Sequence, residues 1–123
     1  MAETYTLHVA GLTRELKICL IHEHLQIAAF ILFSDVELTE ACAKELASKC
    51  PPDCDYILTA ECKGIPLAYE MSRIMGKPYI VARKMVKAYM TNTLAVEVQS
   101  ITTAGKQTLY LAVSYTHLTL PTT

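Results

Sequence analysis

Little in this chain carries a strong excess of charge. Eleven Lys and Arg against twelve Asp and Glu leave a formal net charge of -1 and a pI near 6.4, which gives no global basic field of the kind that nucleic-acid or membrane-surface binders use. Any anion site must therefore be local. Long hydrophobic runs are also missing: the longest apolar stretch, Ile27 to Phe33, is far below the ~20 residues of a membrane helix. Met1 to Ala10 lacks a basic segment followed by an apolar core, so no secretion signal is read there and the cytoplasm is the expected compartment. Paired cysteine spacing is absent too. Cys19, Cys42, Cys50, Cys54 and Cys62 are odd in number and are read as reduced thiols; Cys50 and Cys54 have no second Cys or His pair at zinc-ribbon spacing. His22 and His24 would share one face of an extended strand, but two ligands do not make a metal site. No repeat or low-complexity tract occurs.

What is present suffices for one core. A length of 123 residues with 52% hydrophobic content fits a single compact domain and not two. Thr4 to Val9 alternates and is rich in β-branched and aromatic residues. After Gly11, Glu15 to Ile21 alternates again, so an antiparallel pair is expected. Gln26 to Phe33 is apolar without clear alternation and reads as strand or irregular structure. Ser34-Asp-Val-Glu37 fits a capping box, with Ser34 as N-cap and the Glu37 carboxylate reaching back to the Ser34 amide. The helix starting there would run to about Lys49, carry Leu38, Ala41, Cys42, the Glu45 stem and Leu46 on adjacent turns, and stop at Pro51-Pro52.

Asp55 to Ala60 reads as a short apolar strand. Pro66 suits the first turn of the next helix, where its missing donor is not needed, and Leu67, Ala68, Met71, Ile74 and Met75 line one side of it. Gly76 fits a left-handed C-terminal cap and Pro78 blocks continuation before the strand Tyr79 to Ala82. Strand, helix and strand within about thirty residues make a right-handed βαβ unit with parallel strands. Leu94 to Ile101 and Gln107 to Leu111 then alternate, as in a long hairpin or arm.

Two loops carry chemistry. Glu61-Cys62-Lys63-Gly64 lies between a strand end and a helix start, the edge of an open parallel sheet where ligands bind and where helix amides favour an anion. Lys63 adds a charge, and Gly64 removes a side chain that would block backbone approach. An ordinary βα loop with a solvated lysine would read the same way. Arg83 and Lys84 emerge at the end of the next strand, on the same sheet edge, with Lys87 following. There Arg offers a planar fork and Lys a point charge to a pyrophosphate; a solvated charge pair ending a strand is the alternative.

The run Thr59-Ala-Glu-Cys-Lys-Gly-Ile-Pro-Leu-Ala-Tyr-Glu70, followed by Pro78-Tyr-Ile-Val-Ala-Arg-Lys84, resembles the type I purine phosphoribosyltransferases of the adenine and xanthine groups. The likeness spans about Tyr5 to Leu111 and is most specific over 59–84. It implies an α/β protein with a partial type I phosphoribosyltransferase fold: a parallel sheet core over about 34–84, an N-terminal hood over about 1–33 and a flexible β-arm over about 85–111. It assigns Glu61, Cys62, Lys63, Gly64, Arg83, Lys84 and Lys87 to the pyrophosphate of phosphoribosyl pyrophosphate, with Cys62–Lys63 as a cis peptide. Lys63 stands where adenine enzymes usually have Arg. The implied reaction transfers the phosphoribosyl group to adenine or xanthine, with magnesium accompanying the donor. A homodimer of the complete protein is implied, with no nucleic-acid or membrane partner. Ser100 to Thr103 resembles the xanthine-type loop. A regulatory protein on the same fold that binds the same donor, or a non-catalytic binding module, are the other classes.

The family's strand with two acidic residues and a Thr-Gly loop, which holds the ribose phosphate, is not found in this sequence. The chain is therefore expected to be a C-terminally truncated fragment, inactive by itself. Residues 112–123 are read as a non-native tail, because one set of codons for Val113 to Thr122 matches a common sequencing adapter; Tyr115 and His117 are assigned no function.

Overall fold

The structure, a computed structural model, describes residues 3–90, 92–99 and 105–112. Strands β1 (Thr4–Val9), β2 (Leu12–His22) and β3 (Leu25–Ala28) form an antiparallel sheet in the order β1-β2-β3. The β1–β2 turn is tight: Ala10 and Gly11 both have positive φ, at 52° and 77°, and the register runs from Val9↔Leu12 to Thr4↔Lys17. The sequence places the first two strands correctly and understates the second. Of the apolar stretch from 26 to 33, only the first residues pair; from Ala29 the chain is irregular.

Helix α1 (Val36–Lys49) follows. Its cap differs from expectation: Asp35, not Ser34, is the N-cap, and its carboxylate accepts from the Leu38 amide at 3.1 Å. Ser34 instead takes a positive φ of 67°, and the Glu37 carboxylate that would have closed the box accepts from Arg14. The inward face is rotated as well. Leu38, Thr39, Cys42 and Ala43 are buried, while Leu46 is 42% exposed. Thr39 belongs inside because its hydroxyl donates to the carbonyls of Leu32 and Asp35, so its burial leaves no polar group unpaired. Leu32, Leu38 and Cys42 form a buried core cluster, with Val9, Ala10, Leu12 and Leu67 packed against them. Cys19, Cys42, Cys50, Cys54 and Cys62 are free.

The strand–helix–strand order and the parallel pairing of its two strands stand as expected, while a wider parallel sheet core is not seen among the described residues. Strand β4 (Ile57–Ala60), helix α2 (Ile65–Met75) and strand β5 (Tyr79–Ala82) follow in order, and β4 pairs parallel with β5 from Ile57↔Tyr79 to Ala60↔Ala82. This two-stranded pair is the parallel sheet among the described residues; the other pairings are antiparallel. Gly76 closes α2 with φ 68°, where a Cβ would cost ~1–2 kcal/mol. On α2, Ala68 and Met71 are buried as expected and Ile74 is 41% exposed, while Glu70 is buried beside Arg73 at 2.5 Å. Strands β6 (Thr93–Gln99) and β7 (Lys106–Ala112) form the antiparallel arm. The arm returns to the parallel pair through Arg83 and Tyr110, whose backbones exchange hydrogen bonds at 2.8 and 2.7 Å. Ser100 to Thr103, Tyr115 and His117 lie outside the described residues. No described helix is long and apolar enough to cross a membrane.

Candidate functional site

The site is built where β4 and β5 end together. Pairing continues one residue past β4, since the Glu61 amide donates to the carbonyl of Ala82, the last residue of β5, at 3.0 Å. Because the sheet still holds the Glu61 amide, the chain turns away from it at the next peptide bond. The cis bond is accordingly Glu61–Cys62 and not Cys62–Lys63. The turn closes with the Ile65 amide on the Cys62 carbonyl at 3.2 Å, and α2 starts at once, with Pro66 in its first turn and no side chain capping its amides. Gly64 has a φ of -82°, and a Cβ there would run into the Thr59 hydroxyl.

Glu61 joins the two loops. Its Oε1 accepts from Arg83 Nε at 2.8 Å and from the Lys84 backbone amide at 2.8 Å. Both ends of the ion pair are largely shielded, at 28% and 22% side-chain exposure. The Lys84 amide, then the Arg83 guanidinium, holds the Glu61 carboxyl below the usual carboxylate range, and Lys87 adds a smaller pull in the same direction. Arg83 also donates from Nη1 to the Tyr89 hydroxyl. Lys87 donates its backbone amide to the Met90 sulfur at 3.3 Å. Cys62 and Lys63 are exposed on the first loop, and Lys84 on the second.

Glu61, Arg83 and Lys84 are thus in direct contact, Lys87 is within electrostatic reach, and Gly64 shapes the turn between them. Tyr89 and Tyr110 escaped the sequence reading. Nothing in the spacing of either tyrosine marks it as a partner of Arg83, since one contact crosses a loop and the other crosses strands. A hollow of about 330 Å³ lies nearby in the fold, where the start of α1 meets the start of α2, and Phe33, Val36, Pro66 and Tyr69 line it.

Among the described residues nothing is placed to hold magnesium as a protein-bound ion. The described residues contain no group of three or more potential His, Cys, Asp or Glu ligands, and Glu61 Oε1 already serves Arg83 and Lys84. Divalent magnesium needs near-octahedral oxygen ligation, which a carboxylate oxygen already shared by Arg83 and Lys84 does not supply.

No family model and no curated protein matches this chain. Among solved structures, the adenine phosphoribosyltransferase of Thermoanaerobacter pseudethanolicus is similar, with a TM-score of 0.63 and 16% identity over 78% of this chain and 56% of that one. The fold is phosphoribosyltransferase-like. At that identity the likeness speaks for the fold alone, and the chain spans little more than half the length of the solved structure it matches.

Proposed function

We propose that this chain carries the pyrophosphate-binding part of a purine phosphoribosyltransferase, one that acts on adenine or xanthine with phosphoribosyl pyrophosphate as donor. The observation that carries the reading is the clasp of the two loops at the shared end of a parallel strand pair, through Glu61, Arg83 and Lys84. Four cationic side chains, Lys63, Arg83, Lys84 and Lys87, stand on these loops against one carboxylate, beside the N-terminus of α2, which no side chain caps. That combination suits an anion of high charge. The phosphoribosyltransferase-like fold supports the same reading. A transition state in which pyrophosphate leaves the ribose carbon asks mainly for positioned positive charge at the leaving group, which fixed cations supply without reorganising. The hollow lined by Phe33, Pro66 and Tyr69 is the proposed seat of the flat purine, where aromatic and proline faces exclude water from one side of the ring.

The test is calorimetric titration of the chain with phosphoribosyl pyrophosphate and with inorganic pyrophosphate. Lys63→Ala should weaken both about fivefold, the loss of one exposed charge contact, and leave purine affinity unchanged. Unchanged donor affinity would remove Lys63 from the site, and no binding of either phosphate by the parent chain would refute the reading.

A further inference from the structure

We infer that Glu61 is a positioning residue, which holds Arg83 and the Lys84 backbone in place for the donor's pyrophosphate without touching it. The inference rests on the proposed pyrophosphate site and deepens it. A carboxylate facing a polyanion would repel it, so an acid on this loop can help only through the cations it orders. The geometry supplies such a route. Glu61 is fixed by its own amide on Ala82, one residue beyond β4, and its side chain reaches across to the residues just beyond β5. A single oxygen, Oε1, receives both donors at 2.8 Å.

Arg83 is consequently held from three directions. Its backbone is paired with Tyr110, its Nε is on Glu61 and its Nη1 is on the Tyr89 hydroxyl. A guanidinium fixed before the ligand arrives loses little conformational freedom on binding. Tyr89 is 59% exposed, so its contact is open to exchange for a phosphate oxygen, whereas the shielded Glu61 contact stays. The depressed carboxyl of Glu61 agrees with this arrangement, since both bonds favour the ionised form.

Because one oxygen does the work, the side chains that can replace Glu61 are defined by reach and not by charge. Gln places an amide oxygen where Oε1 stands. Asp keeps the charge but is one methylene short.

The experiment measures inorganic pyrophosphate affinity by calorimetry for the 123-residue chain and for Glu61→Ala, Glu61→Asp and Glu61→Gln. Amide spectra confirm folding and follow the Lys84 amide and the Arg83 Nε–H. Ala and Asp should bind at least about tenfold more weakly, and Gln within about threefold of the parent. The Lys84 amide signal should move when Glu61 titrates, with a midpoint below ~4.3, lose that response in Ala and Gln, and keep its position in Gln. Gln as weak as Ala, or Ala as tight as the parent, would overturn the inference. If Ala does not fold, the Asp and Gln pair decides alone. If the parent chain binds no pyrophosphate, it is the proposed function that fails; a Lys84 signal displaced in Asp and restored in Gln would still uphold the clasp, and one unmoved in Asp would refute it.

Discussion

Arg14 and Arg83 each reach a carboxylate far along the chain, 21 and 22 residues away respectively, yet the two surroundings differ in sign. Arg14 meets two acids. Its Nε and Nη2 take both oxygens of Asp35 at 2.8 and 3.1 Å, Nη2 also takes Glu37 at 2.8 Å, and Nη1 takes the Thr13 carbonyl at 3.0 Å. Every nitrogen of that guanidinium serves the protein, and it ties the N-terminal sheet to the cap of α1. Arg83 meets Glu61, on a pair of loops that also carry Lys63, Lys84 and Lys87. The same side chain is a fastening where acids outnumber it, and part of the proposed anion site where cations do.

The largest effect expected from probing this contrast lies beneath the first arginine. Leu38 is fully buried, and Leu38→Ala should destabilise the fold by about 3 kcal/mol in denaturant titration. That loss should exceed the effect of removing Arg14, because packing supplies the stability there and the ion pairs supply orientation. A smaller loss than that of Arg14→Ala would reverse this ranking.

Exchanging the two arginines tests the contrast directly. Arg83→Ala should weaken pyrophosphate binding about thirtyfold with a modest change in melting temperature. Arg14→Ala should do the opposite, lowering the melting temperature by a few degrees and leaving pyrophosphate affinity as it was. Equal losses of affinity in both would dissolve the distinction between fastening and site.

The smallest effect is in pH. Arg14, then the Leu38 amide, holds the Asp35 carboxyl below its usual range. A depressed carboxyl contributes stability that is present above its unfolded value, ~3.9 for Asp, and lost as pH falls through the lower folded value. Thermal melts should therefore decline below about pH 4, and decline less steeply in Arg14→Ala. Parallel acid profiles for the two proteins would show that the Arg14 pair does not set this slope.

Much of the fold was legible because it is written in local chemistry. Pro51-Pro52, Pro66, Gly76 and Pro78 each act on their own backbone, and they delimit α1, α2 and β5 closely. The cap of α1 was misread for a nonlocal reason. Ser34 and Asp35 are both good N-caps, and Arg14, which draws both Asp35 and Glu37, selects the second. The buried face of α1 was misread likewise, because Thr39 finds its hydroxyl partner on Leu32, and Leu46 lies outside the described core. In the site, the residues of the two loops were read from their place at strand ends. Their connection through one oxygen of Glu61 was not, since an acid beside a lysine gives no sign of which cation it will hold.

By itself the sequence determined the order of elements, the parallel pairing of β4 with β5 and the gathering of Lys63, Arg83, Lys84 and Lys87 at one sheet edge. Periodicity, turn residues and the handedness of a βαβ crossover suffice for that. The tertiary structure alone decided which residue caps α1, where the chain turns out of the sheet after β4, and that Arg83 is held by Glu61, Tyr89 and Tyr110 together. Those choices depend on hydrogen-bond partners that are distant in the chain and become neighbours only when the sheet has formed.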